Sequence, residues 1–247
     1  MNDNPLTGLS YLLRGAALVA RPGLRRYVAI PLLVNITLFG VGTWVGFGLV
    51  DQWLDGLLPQ WLDWLRWLLW PVLTVLVMGV IFFGFNFVAM LVASPFNGLL
   101  AEAVERELRG EPPPPSGWSR MLRDLGRTLA SEARKLVYVA LRTVPLMVLA
   151  LLPIPVVNAL ASVGLFAMGA WMLAFAYVDY PMGNHGLGFP EQRARLRERR
   201  LMSLGFGAAV MGALSIPVLN CLVIPSAVAG ATALWVERLR PLERGGQ

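Results

Sequence analysis

Four stretches of this chain carry no charged residue, and their lengths leave few folds open. They are Tyr27–Val50 (24 residues), Trp67–Ala101 (35), Thr143–Val178 (36) and Leu201–Val236 (36). A helix crossing a bilayer needs about 20 apolar residues. In hydrocarbon every backbone polar group must be bonded within the protein, so spanning segments are helices or closed barrels. These runs are continuous rather than alternating, which selects helices. Charged residues make up 15% of the chain, against about 25% in a soluble domain. The chain is therefore read as an all-α integral membrane protein, organised as a single membrane domain over residues 1–247.

Charge placement sets the expected topology. The net charge is +6, and nucleic acid is not needed as a partner to explain it. Arg14, Arg21, Arg25 and Arg26 precede the first run, eight basic residues lie between 102 and 142, five between 179 and 200, and three after 237. That is 20 of 21; only Arg66 lies elsewhere, in a loop with Trp53, Trp61, Trp64 and Trp67. Cytoplasmic loops collect lysine and arginine, and tryptophan collects at the membrane interface. Both termini are thus expected in the cytoplasm. Residues 27–50 read as one transmembrane helix and 67–101 as a longer one, broken near Ser94-Pro95. Residues 102–142 read as a charged cytoplasmic segment, with a stiff connector at Glu111–Gly117 and an amphipathic helix from Arg120 to Arg142.

The last two runs contain nearly the same heptapeptide, Leu152-Pro153-Ile154-Pro155-Val156-Val157-Asn158 and Leu214-Ser215-Ile216-Pro217-Val218-Leu219-Asn220. Proline removes an N–H and biases the preceding residue away from the helix, and asparagine can satisfy backbone groups freed at the turn. Thirty-six residues are too few for two full spans and a turn. Residues 143–178 and 201–236 are therefore expected as two re-entrant half-membrane hairpins, which returns all 20 basic residues to one side.

At the head of the first run stands Arg21-Pro22-Gly23-Leu24-Arg25-Arg26-Tyr27. Asn4-Pro5 caps a helix through residue 20 that is expected to lie on the bilayer, and Pro22 starts the next one. The first turn would offer unpaired N–H groups at Gly23, Leu24 and Arg25, and Arg25 and Arg26 would add forked donors matched to a tetrahedral oxyanion. The alternative is that these arginines only orient the helix and anchor headgroups.

Several stretches together resemble the bacterial CysZ sulfate permease family. They are Pro22–Arg26, Ser94-Pro95-Phe96-Asn97-Gly98-Leu99-Leu100-Ala101-Glu102, Asp179-Tyr180-Pro181-Met182-Gly183-Asn184-His185, Ile216–Asn220 and Gly230–Trp235. The resemblance implies an inner-membrane protein bringing sulfate into the cytoplasm for cysteine biosynthesis. It also implies two long transmembrane helices with half-membrane hairpins, assembled as a homo-oligomer, and places a sulfate site at Gly23, Leu24, Arg25 and Arg26. Sulfite or related oxyanions would share such a site. The eukaryotic etoposide-induced membrane protein shares the domain, so membership alone does not establish transport.

Beyond that turn, polar residues in or beside the apolar runs are candidates for a pathway or gate: Asn35, Asn86, Asn97, Glu102, Glu105, Arg106, Arg109, Asp179, His185, Asn220 and Glu237. The acidic members would repel sulfate unless paired with arginine. His185, the only histidine, could carry protons in coupled transport. One histidine and one cysteine (Cys221) give no catalytic set, metal spacing or disulfide, and no phosphate-loop motif is present. No cofactor is expected, and the chain is not read as an enzyme. A channel or secondary transporter stands against a non-transporting scaffold that binds anionic membrane lipid.

Overall fold

The computed structural model describes residues 3–57, 64–110, 125–216 and 219–240, with side chains at all of them except 57, 86–94 and 125–130. The 111–117 connector, the start of the amphipathic helix and the Asn86 side chain lie outside that description. Among the described residues the structure is helical, without strands. The helices are α1 (Pro5–Val19), α2 (Pro22–Leu57), α3 (Arg66–Arg109), α4 (Leu125–Ala150), α5 (Pro155–Asn184), α6 (Phe189–Glu198), α7 (Arg200–Leu214) and α8 (Asn220–Leu234), followed by a π-helical turn at Trp235–Leu239.

The chain divides into two compact units, Arg26–Phe96 and Met1–Arg25 with Asn97–Gln247. The first is an antiparallel helical pair. Phe39 meets Phe85 edge to face at 5.1 Å, and Phe47 stacks on Trp70 at 6.1 Å. Gly46 lets α3 approach closely enough that a Cβ there would strike Ile81. At the far end Arg66 bonds Asp55 (2.7 Å) and Trp70 donates to Asp51 (3.1 Å). Trp53, Trp64 and Trp67 are exposed around these groups, as an interfacial belt would be.

The second unit is built on α8, whose residues from Pro225 to Leu234 are all buried. Helix α1 packs across α7 and α8, and α5 packs on α4, α7 and α8. Asn4 caps α1 by accepting the Leu6 N–H at 2.9 Å, as its place before Pro5 suggests. Tyr11, Leu12, Leu18 and Val19 of α1 are buried in the bundle, whereas Leu6, Leu9 and Leu13 are exposed. The apolar face expected to rest on a bilayer is thus shared between protein and surroundings. Asp3 accepts the N–H groups of Leu201 (3.0 Å) and Met202 (2.8 Å), capping α7 from 198 residues away.

Gly207 marks the tightest approach of α5 and α7, since a Cβ there would run into the Ala170 carbonyl. Gly207→Val is expected to cost about 1–3 kcal/mol through overpacking. Thermal unfolding in detergent checks it, and an unchanged melting temperature would contradict this packing.

The helices stop at both repeated heptapeptides. Helix α4 ends at Ala150 and α5 begins at Pro155; α7 ends at Leu214 and α8 begins at Asn220. At the first break Asn158 donates to the Ala150 carbonyl at 2.6 Å, satisfying a group freed by the turn. The arms are unequal, however. Helices α7 and α8 have 15 residues each, about 22 Å at ~1.5 Å per residue, whereas α5 has 30. Four segments are long and apolar enough to cross a membrane: Pro22–Gly56, Arg66–Phe85, Pro155–Asn184 and Asn220–Leu239. Two half-length arms therefore do not describe residues 143–178.

The break expected near Ser94 is absent. Helix α3 runs through Pro71 and Pro95 for 44 residues. A helical proline forfeits one N–H bond and can leave the helix kinked rather than ended. Likewise α2 extends from Pro22 to Leu57, past both expected bounds at 27 and 50.

Candidate functional site

The turn from α1 into α2 takes its shape from Pro22. Arg21 N–H closes α1 on the Leu18 carbonyl (3.0 Å), and Pro22 then starts α2. Both the Leu24 N–H (3.0 Å) and the Arg25 N–H (3.2 Å) turn back onto the Arg21 carbonyl. The row of three free N–H groups expected from the sequence is thereby reduced to that of Gly23. Leu24 is buried at 3% exposure, while Gly23, Arg25 and Arg26 are exposed. Nothing lies within 4 Å of the space beside Gly23.

Arg25 is held from behind. Its Nε donates to the Ala20 carbonyl at 2.6 Å, a bond that does not use the two terminal nitrogens of the exposed guanidinium. Arg26 donates to the Tyr27 hydroxyl at 3.3 Å and lies over that ring at 5.0 Å. Neither arginine forms an ion pair among the described residues. Arg21, by contrast, is engaged with Glu107 at 2.9 Å. A free N–H at a helix start beside two unpaired guanidinium groups can receive an anion.

A second polar group lies inside the larger unit. Glu105 on α3 is 1% exposed. His185 Nε2 meets its two carboxylate oxygens at 3.0 and 2.9 Å, Arg240 donates at 3.2 Å, and Arg109 approaches to 3.7 Å. With cations on the same carboxylate, Nε2 is assigned as the donor. The π-helical turn ends α8 just before Arg240, whose N–H bonds the Trp235 carbonyl at 2.9 Å; such turns recur at functional sites. Trp235 also packs beside the His185 ring at 5.9 Å.

The other expected residues separate into groups. Asn97 donates to the Tyr180 hydroxyl (3.2 Å), and Asn184 to the Gly98 carbonyl (3.1 Å), tying α3 to the end of α5. Asp179 accepts from Gln192 at 2.6 Å and pairs with Lys135 at 3.5 Å. Glu237 accepts from Tyr11 (3.0 Å) and Arg14 (2.6 Å). Burial pushes the Tyr11 hydroxyl above its ordinary value, so it remains a donor. Glu102 is half-buried and Arg106 exposed. The Oδ1 atoms of Asn35 and Asn220 are buried without a partner among the described residues, as are the hydroxyls of Thr43 and Thr74. Among the described residues no group of three metal-ligating side chains occurs.

Arg240, Lys135, Gln192, Tyr180 and Asn184 escaped the sequence-based selection. Only Arg240 had a local signal, as one of the first charges after the last apolar run.

Four helices long and apolar enough to cross a membrane, in a chain that is helical throughout its described residues, define a multi-pass membrane protein. The chain belongs to the family described as Sulfate transporter CysZ/Etoposide-induced protein 2.4, whose profile matches residues 11–225. It is 43% identical to the sulfate transporter CysZ of Pseudomonas fluorescens (strain Pf0-1), over 98% of this chain and 96% of that protein. It is 42% identical to the proteins of the same description from Pseudomonas aeruginosa (strain LESB58), over 94% and 95%, and Salmonella paratyphi A, over 94% and 93%.

Proposed function

We infer that this protein carries sulfate across the bacterial inner membrane into the cytoplasm, where it feeds cysteine biosynthesis, by a channel-like or secondary mechanism. The observation that carries this reading is the near full-length similarity to sulfate transporters. The exposed first turn of α2 is the matching chemistry. Gly23 N–H, the Arg25 fork and Arg26 would bind the dianion, and buried Leu24 would fix the turn. Purified protein should retain radiolabelled sulfate in equilibrium dialysis, and Arg25→Ala/Arg26→Ala should weaken it by about tenfold or more. Equal retention would remove this turn as the site.

Unpaired sulfate in hydrocarbon is prohibitively costly, so the interior must offer donors in sequence, none too strong to release the ion. Asn35, Asn86, Asn97 and Asn220 would serve in such a path. Glu105, Arg109 and His185, joined by Arg240, would form a paired gate, with Glu102, Arg106, Asp179 and Glu237 as separate polar groups. Arg240 and Arg109 flank the Glu105 carboxylate and His185 donates to it, so it does not stand as a bare negative charge. Proton coupling through His185 is the second reading, favoured by its place on that buried carboxylate.

For topology, both termini and the charged segments are cytoplasmic, the α7–α8 pair is re-entrant, and subunits assemble as a homo-oligomer. The 15-residue α7, and the basic residues on both flanks of the pair (179–200 and after 237), support the re-entrant reading. In a Cys221→Ser background, a cysteine at Ser215 should resist a membrane-impermeant thiol reagent applied from outside, while one at Gln52 reacts. Equal labelling of both would show that the second pair crosses completely.

A further inference from the structure

An open groove of about 500 Å³ runs between α4, α5 and α7, within the larger unit and apart from the residues discussed above. Pro145, Leu146, Gly164 and Met168, all within the charge-free run 143–178, line it together with Arg142 and Arg200.

The two arginines are available to a ligand. Arg142 has one long bond, to the Tyr138 carbonyl at 3.4 Å, and Arg200 one to the Arg197 carbonyl at 3.3 Å. Neither has a carboxylate partner among the described residues, whereas Arg14, Arg21, Arg66, Arg109 and Arg240 all do. Arg142 lies over the Tyr138 ring at 3.9 Å, with Arg193 over the same ring at 4.5 Å. That stacking fixes the guanidinium while leaving its donors unused. Trp171 also lines the groove, with its ring rather than its indole nitrogen, which is closed off from the surface.

An occupant must therefore be amphipathic: anionic against the two arginines and apolar along the groove walls. A free oxyanion would leave the apolar walls unfilled, and a zwitterionic lipid would bring a cation to the arginines. We propose that this groove is a binding site for an anionic phospholipid. Its phosphate is held by Arg142 and Arg200, and one acyl chain lies along the wall formed by Pro145, Leu146 and Met168. The lipid would cover the exposed seam where α4 meets α5.

Native mass spectrometry of the full chain in detergent tests this, with phosphatidylglycerol, phosphatidylcholine of the same chains, and inorganic phosphate as probes. Phosphatidylglycerol should be retained at about tenfold lower concentration than phosphatidylcholine, and Arg142→Ala/Arg200→Ala should abolish that preference. Ala167 also lines the groove and is exposed, so Ala167→Trp should block the groove, reducing phosphatidylglycerol retention with both arginines intact. Equal retention of the two lipids by the unaltered protein would overturn the proposal. So would full retention in Ala167→Trp, which decides the matter even if the arginine variant fails to fold. Displacement of the lipid by equimolar phosphate would reduce the site to one for inorganic anions and would equally overturn it.

Discussion

Replacing Glu105 by alanine is expected to lower the melting temperature of the purified protein by about 10 °C. The carboxylate is 1% exposed and receives His185 and Arg240 by hydrogen bonds, with Arg109 at 3.7 Å. Its removal takes away the acceptor that His185, Arg240 and Arg109 share, and breaking a buried pair from one side costs about 3–5 kcal/mol. For a chain of this size each kcal/mol moves the midpoint by about 2–4 °C. Glu105→Gln keeps the shape and an acceptor oxygen but loses the charge, so it should fall between. Arg106, one position along α3, is exposed, and Arg106→Ala should stay within about 0.5 kcal/mol of the unaltered protein. Equal melting of Glu105→Ala and Arg106→Ala would mean that the cluster does not hold the bundle together.

That contrast could not be read from the sequence, in which Glu105 and Arg106 are adjacent charges after an apolar run. The partners of Glu105 lie 80 and 135 positions away. Neither periodicity nor spacing joins α3 to the ends of α5 and α8; only the packed bundle does. The same holds for Asp3, which caps a helix begun at Arg200.

Local signals fared better. The charge-free runs marked the apolar helices because hydrocarbon leaves the backbone no other partner. Pro22 started α2, Asn4 capped α1, and the repeated heptapeptide ended α4 and α7, with Asn158 bonding the Ala150 carbonyl. Pro95 misled because one proline kinks a helix as readily as it ends one. Here 44 residues continue through it. At the anion turn the residue types were legible but the backbone geometry was not. Pro22 supplied the helix start, yet the Arg21 carbonyl took the Leu24 and Arg25 N–H groups. On the proposed reading, more of the binding would then fall to the side chains of Arg25 and Arg26.

This shift makes the arginine pair the decisive place to intervene. Each offers charge-assisted donors to an oxyanion, at about 1.5–3 kcal/mol per bond when water is excluded and less at an exposed turn. Losing both should lower sulfate flux by about tenfold or more. Arg25→Lys/Arg26→Lys should recover only part of it, because an ammonium keeps the charge without the fork. Folding should be unaffected, since neither side chain is buried or ion-paired among the described residues.

Radiolabelled sulfate flux into liposomes tests the central claim most directly, with the unaltered protein, Arg25→Ala/Arg26→Ala and empty liposomes side by side. Uptake is expected only with the protein, without an imposed proton gradient, and strongly reduced in the double variant. Uptake that requires a proton gradient would replace the channel-like route with proton-coupled transport and direct attention to His185. No uptake by folded protein under either condition would contradict the transport reading and leave a membrane scaffold in its place.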